Sequence, residues 1–332
     1  MNVCIIGVGY WGPNLVRNFL SCSLVDLVYC YDKDSEKLNS IKQKFPSVVL
    51  INSWDELLDD KSITAVAIAT PVSTHYDLAK QCLLADKHVL LEKPMAHSYQ
   101  EAIELTELAK SKQLILLIDH IFIYTSAVQK MKELVNSGEI GEINYFDSTR
   151  INLGLFQHDV NVIWDLAPHD LSIMLYLMDK HPVAVFATGV DHLNNGLEDI
   201  AYLTLYFEDK TIAHFHLSWI SPVKVRKMIV GGSKKMIVYD DMMSDEKIKI
   251  YDKGFDVLDE EVKNECLVQY RIGDIHVPTL LNSEALTIEV NHFIDCCVNG
   301  SQPMTCGAQG ALVVKILEAA QESIKVNQKV SL

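Results

Sequence analysis

Apolar and polar positions along the first 120 residues fall into two kinds of block. Short apolar runs occur at 2–7, 25–31, 47–50, 64–69, 87–91 and 114–118. Longer amphipathic segments fill the gaps, near 11–21, 34–44, 54–60, 75–86 and 98–112. Strands that alternate this regularly with helices predict right-handed crossovers and a doubly wound parallel sheet. Ala65-Val-Ala-Ile-Ala69 and His88-Val-Leu-Leu91 are apolar on both faces, as strands covered on both sides must be. Ser73 or Thr74 is placed to cap the fourth helix, and Ser98 the fifth.

Beyond residue 121 the pattern changes. A helix near 126–137 ends at Gly138, and β-rich runs follow at 142–151, 182–191, 199–207, 210–219, 223–231, 235–240 and 246–251. Leu203–Phe207 and Thr211–Leu217, joined by Glu208-Asp-Lys210, read as a hairpin. One helix near 165–178 interrupts the strands, and two more, near 284–299 and 308–326, close the chain. The expected fold is α/β. A Rossmann domain over 1–121 is followed by an α+β domain over 122–332 with a large, mostly antiparallel open sheet.

Composition narrows the partners. The 332 residues suffice for two domains, and a net charge of −15 argues against nucleic acid or an anionic membrane surface. The eight cysteines have no C-x-x-C spacing, several lie in apolar runs, and no basic leader precedes the first strand. Reduced thiols in a cytoplasmic protein are the expectation. The most apolar stretch, Leu114–Tyr124, is broken by Asp119 and His120 and is too short to span a bilayer.

The first strand opens directly into G-x-G-x-x-G at Gly7, Gly9 and Gly12, with Tyr10 and Trp11 inside it, and Asp32 ends the second strand twenty residues later. With a strand before and a helix after, this spacing specifies a dinucleotide-binding βαβ unit. Gly7 permits the tight turn, Gly9 admits the pyrophosphate, and Gly12 lets the helix pack on the strand. Asp32 favours NAD over NADP, since its carboxylate would repel a 2′-phosphate, although Lys33 beside it weakens that argument.

Ligands of open α/β sheets bind at the carboxyl ends of the strands. Two loops there carry chemistry: Thr70-Pro71 through His75 after the fourth strand, and Glu92-Lys93-Pro94 after the fifth. An ammonium at Lys93 can polarise a substrate oxygen; a solvated loop lysine is the bland alternative. Lys93–Pro94 is a candidate cis bond. Further on, Asp165 and His169 lie four apart on a helix expected to start at Asp165, which would put Pro168 in its first turn. His169 near a helix N-terminus would be neutral, as a general base must be. A core histidine with Asp165 as a plain N-cap is the competing reading. Arg150-Ile-Asn152-Leu-Gly-Leu-Phe156-Gln-His158 and Trp219-Ile-Ser-Pro222-Val-Lys224-Val-Arg226 combine polar anchors with aromatic neighbours. Either suits a sugar or nucleotide, and either could equally be a solvated sheet face. The remaining histidines show no metal-ligand spacing, so no catalytic metal is expected.

Together, G-V-G-Y-W-G, Ala69-Thr-Pro…His75, Glu92-Lys93-Pro94 and Asp165-x-x-x-His169 resemble the Gfo/Idh/MocA oxidoreductases. Asn152–Phe156, Asp159–Asp170 and Ser218–Arg226 with Asp240-Asp241 resemble the nucleotide-sugar 3-dehydrogenases of that family. Ala167 stands where many relatives carry glycine. The resemblance implies Lys93 beside a nicotinamide, Asp165 and His169 over the substrate carbon, and an oligomer, dimer or tetramer, formed through the open sheet. The expected activity is NAD-dependent hydride transfer from a secondary hydroxyl, at C3, of a nucleotide sugar such as UDP-N-acetylglucosamine or its uronate. Arg150, Asn152, Lys224 and Arg226 are the expected substrate anchors. Three alternatives stay open: an NADPH-dependent 3-ketoreductase on a dTDP-sugar, a free sugar or inositol dehydrogenase, and a dinucleotide sensor without turnover.

Overall fold

The computed structural model describes residues 1–154, 160–257 and 268–332. The chain forms two compact units. The first comprises Met1–Thr125 with Ser283–Lys315, and the second Ser126–Asn282 with Ile316–Leu332.

In the first unit, β1 (Asn2–Ile6), α1 (Gly12–Ser21), β2 (Leu27–Tyr31), α2 (Ser35–Lys44), β3 (Val49–Leu50), α3 (Trp54–Asp59), β4 (Ile63–Ile68), α4 (His75–Leu84), β5 (His88–Leu91), α5 (Tyr99–Ser111) and β6 (Leu116–Ile118) follow the predicted alternation. The strands pair in parallel in the order β3-β2-β1-β4-β5-β6. The order reverses between β1 and β4, and that switch point opens a crevice at the strands' carboxyl ends. Ser98 caps α5 as expected, accepting from Glu101 N at 3.2 Å. Thr74 precedes α4 but does not cap it. Its hydroxyl donates to Thr70 Oγ1 at 2.7 Å and Pro71 O at 2.8 Å, so it braces the turn instead.

The second unit contains α6 (Ser126–Asn136), β7 (Ile143–Leu153), α7 (Val162–Met178), β8 (Ala184–Val190), β9 (Ile200–Tyr206), β10 (Ile212–Ser218), β11 (Ile220–Gly232), β12 (Met236–Asp240), β13 (Ile248–Val257) and β14 (Val268–His276). Among the described residues these strands, with β15 (Val330–Ser331), form one sheet in the order β14-β13-β12-β11-β7-β10-β9-β8-β15. Every pairing is antiparallel except β7 with β10. The predicted hairpin is β9–β10, with Ile212 opposite Tyr206. Buried Leu203, Leu205, Phe215 and Leu217 alternate with partly exposed Tyr202, Thr204, His214 and His216, so one face packs on α7 and the other is open.

Among the described residues two further α-helices are α8 (Ala285–Asn299) and α9 (Gly307–Val326). The pattern of the sequence placed both after the boundary at 121, yet α8 packs in the first unit. Its Leu286, Val290 and Phe293 share a core with Leu15, Val16 and Phe19 of α1, and the Phe19 and Phe293 rings meet edge to face at 6.3 Å. Arg17 pairs with Glu284 at the same contact.

Helix α7 begins three residues before the expected Asp165. Asn161 is its N-cap, with Oδ1 accepting from Ile163 N and Trp164 N at 3.1 Å each. Pro168 therefore sits inside the helix, where it has no N–H for the carbonyl four residues back. His169 becomes the eighth residue of α7, beyond the first turn in which the helix dipole acts. The expectation that the dipole keeps its ring neutral falls with that boundary.

Candidate active site

The glycines of the first loop behave as their spacing requires. Gly7 has φ +89°, and a Cβ there would lie 2.6 Å from Ala69 O. A Cβ on Gly12 would lie 2.3 Å from Gly7 O, so only hydrogen allows the helix to approach the turn. Gly9 differs, because nothing stands within 4 Å of its absent Cβ. Its backbone faces open space, the condition for close approach of a pyrophosphate. Asp32 follows β2 and accepts from Val8 N at 2.9 Å and from Asp34 N at 3.0 Å. Each carboxylate oxygen keeps a second acceptor site for a ribose hydroxyl.

A cavity of about 540 Å³ lies beside this turn. Gly7, Gly9 and Asp32 line it from one side, and Thr70, Pro71 and Thr74 from the other. Tyr31 and Trp54 form an aromatic wall, their rings 5.5 Å apart, and Trp54 Nε1 donates to Gln81 Oε1 at 2.7 Å. Lys33 and Lys37 also line it. A phosphate cradle, a diol acceptor and an aromatic slot fit a bound dinucleotide. Of the lining residues, Lys33 is noted in the sequence beside Asp32, whereas Trp54 and Lys37 are not singled out there. Trp54 reads there only as the start of a helix, although a tryptophan beside a strand's carboxyl end was the signal available.

The loop after β5 is built on buried polar contacts. The Lys93–Pro94 peptide is cis. His75 is buried, with Nδ1 2.8 Å from Pro94 O and Nε2 2.8 Å from Thr70 O. It therefore ties the two candidate cofactor loops together through their backbones. Burial lowers its pKa more than the two carbonyls raise it, and a neutral ring donates to only one of the two carbonyls at a time. Glu92 accepts from Lys93 N at 3.1 Å, and Trp11 Nε1 donates to Asp119 Oδ2 at 3.2 Å. Burial, and then the neighbouring Asp119, push the Glu92 carboxyl well above its usual range. Tyr10 is 95% exposed at the tip of the glycine loop.

In the second unit, Asp165 and His169 stand one turn apart on α7, both half-buried. Trp219, between β10 and β11, donates from Nε1 to Asp165 Oδ2 at 3.0 Å. Arg150 on β7 is buried, its guanidinium engaged by Asp170, the residue after His169. Arg226 lies 3.5 Å from Asp241, which Lys247 also approaches at 3.0 Å. Lys224 is exposed in the register shift of β11 between Ile220 and Val225, and Asn152 is half-buried near the end of β7. Leu155, Phe156, Gln157, His158 and Asp159, part of the stretches singled out in the sequence, lie outside the described residues, as does Cys266. The other seven cysteines are free thiols.

Two family models match the chain. One, described as an oxidoreductase family with an NAD-binding Rossmann fold, covers residues 1–120. The other, the GFO/IDH/MocA C-terminal domain, covers 128–238. The chain belongs to the Gfo/Idh/MocA oxidoreductase family. Among similar members is the UDP-N-acetylglucosamine 3-dehydrogenase of Acidithiobacillus ferrooxidans, 27% identical over 96% of this chain and 95% of its own length. A crystal structure of that enzyme superposes with a TM-score of 0.83 at 24% identity, covering 98% of both chains. The NADP(+)-dependent scyllo-inositol 2-dehydrogenase IolW of Bacillus subtilis is 24% identical over 98% of this chain and 96% of its own. GenD2 from gentamicin A biosynthesis, solved in complex with NAD, matches with a TM-score of 0.83 at 21% identity, over 100% of this chain and 96% of its own. At these identities the solved structures establish the shared fold. Among the described residues no helix is long and apolar enough to cross a membrane.

Proposed function

We propose that the protein is an NAD-dependent dehydrogenase of a nucleotide sugar, acting on a secondary hydroxyl at C3 of the hexose. The observation that carries the reading is the presentation of Asp165 and His169 one turn apart on α7, with Trp219 bonded to the carboxylate. His169 takes the hydroxyl proton as general base, Asp165 holds the imidazole's charge and orientation, and the Lys93 ammonium stabilises the oxygen as charge develops on it. When bound, the nicotinamide supplies the hydride acceptor. The turn at Gly7 and Gly9, which Gly12 lets the helix approach, holds the pyrophosphate, and Asp32 holds the adenosine ribose. Asn152, Lys224 and Arg226 anchor the substrate's nucleotide end, while Arg150 buttresses α7. Full-length similarity to a UDP-N-acetylglucosamine 3-dehydrogenase supports the choice of substrate class.

The test is a thermal-shift screen with NAD, NADP and a panel of UDP- and dTDP-sugars, followed by NADH formation at 340 nm with each sugar that binds. Stabilisation by NAD and by a UDP-sugar, with turnover, is the expected result. Tighter binding of NADP would move the cofactor assignment to Lys33 and Lys37, the two ammonium groups that line the cavity. Turnover of free inositol in preference to any nucleotide sugar would overturn the substrate class.

A further inference from the structure

We propose that Trp219 is a positioning residue for Asp165, and through it for the proton transfer at His169. The inference rests on the functional reading above. Trp219 is almost fully buried, and its Nε1 donates to Asp165 Oδ2 at 3.0 Å.

Three features make this contact more than a convenient hydrogen bond. The first is how firmly the donor is held. Trp219 N donates to Asp199 O at 2.9 Å, and Trp219 O accepts from Gly154 N at 3.0 Å. Its backbone is thus fixed on both sides, in the single residue between the end of β10 at Ser218 and the start of β11 at Ile220. Asp199 is held in turn, its carboxylate accepting from His192 N at 2.8 Å and lying 2.8 Å from His192 Nδ1. A Cβ on Gly154 would stand 3.3 Å from the indole, so Gly154 leaves the room the ring occupies.

The second feature is the fixed end of the helix that carries the acceptor. Asn161 caps α7, and Trp164, next to Asp165, donates from its own Nε1 to Gln321 Oε1 at 2.8 Å. Donor and acceptor therefore both hang on anchored backbone, and the contact needs no further ordering to form.

The third is the chemistry of the donor. An indole N–H donates only and does not titrate in the accessible pH range. A lysine or histidine in its place would bring a charge or a protonation state of its own. Trp219 sets the plane of the Asp165 carboxylate without adding charge beside His169. A hydrogen bond to a charged group is worth about 1.5–3 kcal/mol, which corresponds to roughly tenfold to hundredfold in rate if it is needed in the transition state.

Trp219→Phe keeps a flat apolar ring and removes the N–H. The expected result is a kcat lowered roughly tenfold to hundredfold, with KM for both substrates changed less than about twofold. In an Asp165→Asn background the same substitution should add no further loss, because Trp219 acts through that carboxylate. Losses that simply add in the double variant, or an unchanged kcat in Trp219→Phe, would overturn the proposal. A second measurement does not depend on turnover. In ¹⁵N-labelled protein the Trp219 indole resonance, assigned by its absence in Trp219→Phe, should move in Asp165→Asn. If it is indifferent to Asp165 the proposal falls. If it responds while no sugar is turned over, the contact stands and the nucleotide-sugar reading fails alone.

Discussion

Arg150 and Asp170 form a nearly fully buried ion pair, with Nη2 2.6 Å and Nε 2.8 Å from the same carboxylate oxygen, Oδ1. Ser148 Oγ donates to the other oxygen at 2.7 Å. The pair joins β7 to α7 at the residue after His169. Arg150→Met should therefore cost about 3–5 kcal/mol in denaturant unfolding, because it strands a carboxylate in the interior. Arg150→Met combined with Asp170→Leu should recover much of that loss. A double variant no more stable than the single one would show that the pair is not the source of the cost.

The glycine loop separates structure from binding. Gly12→Ala places a methyl 2.3 Å from a backbone oxygen and should lower the melting temperature of the free protein. Gly9→Ala meets no protein atom, so the free protein should melt as the wild type does while its affinity for the dinucleotide falls. Calorimetric titration with NAD beside a thermal melt distinguishes the two. Equal damage to stability from both would contradict this division of roles.

Glu289 on α8 is fully buried, and burial, then the charges of Asp119 and Glu92, raise its carboxyl well above the usual range. The folded protein keeps this proton at a pH where the unfolded chain, titrating near 4.3, has lost it. Its contribution to stability is therefore complete at low pH and shrinks as pH rises from about 4.3 toward the folded value. Glu289→Gln imitates the protonated acid. The two proteins should melt alike below about pH 4.3, and the variant should gain on the wild type as pH rises from there until the folded carboxyl itself titrates. A gap that stays constant with pH would refute the assignment.

His169→Ala removes the proposed base. Turnover should fall roughly 10²–10⁴-fold. Cofactor affinity, measured by quenching of tryptophan fluorescence, should stay at the wild-type value, since no residue of the glycine cradle is touched. A His169→Ala enzyme with near-normal kcat would leave α7 without its catalytic role.

How much of this was legible beforehand follows from where each signal is written. The βαβ alternation, the glycine cradle and the β9–β10 hairpin are local patterns, and each was readable. The start of α7 was not, because Val162-Ile-Trp164 reads as an apolar approach to Asp165 and Asn161 as loop. Only the cap geometry shows Asn161 to be the first turn's acceptor. β14 was missed because it is an edge strand: Ile272 is 84% and Ile275 50% exposed, so no buried face imposes an alternation. Trp219 was noticed as part of a stretch and credited to its basic neighbours. Its bond to Asp165 spans 54 positions, a relationship the local pattern does not record.

The return of α8 to the first unit has a consequence for synthesis. The ribosome completes β6 long before it makes Leu286, Val290 and Phe293, the side chains that cover α1. In the interval the nascent Rossmann sheet carries Leu15 and Phe19 on an unsealed flank, while more than 150 residues of the second unit are threaded out between the two halves of its core. The first unit to begin is thus the one that must wait, and its exposed flank is where a chaperone would engage the unfinished chain.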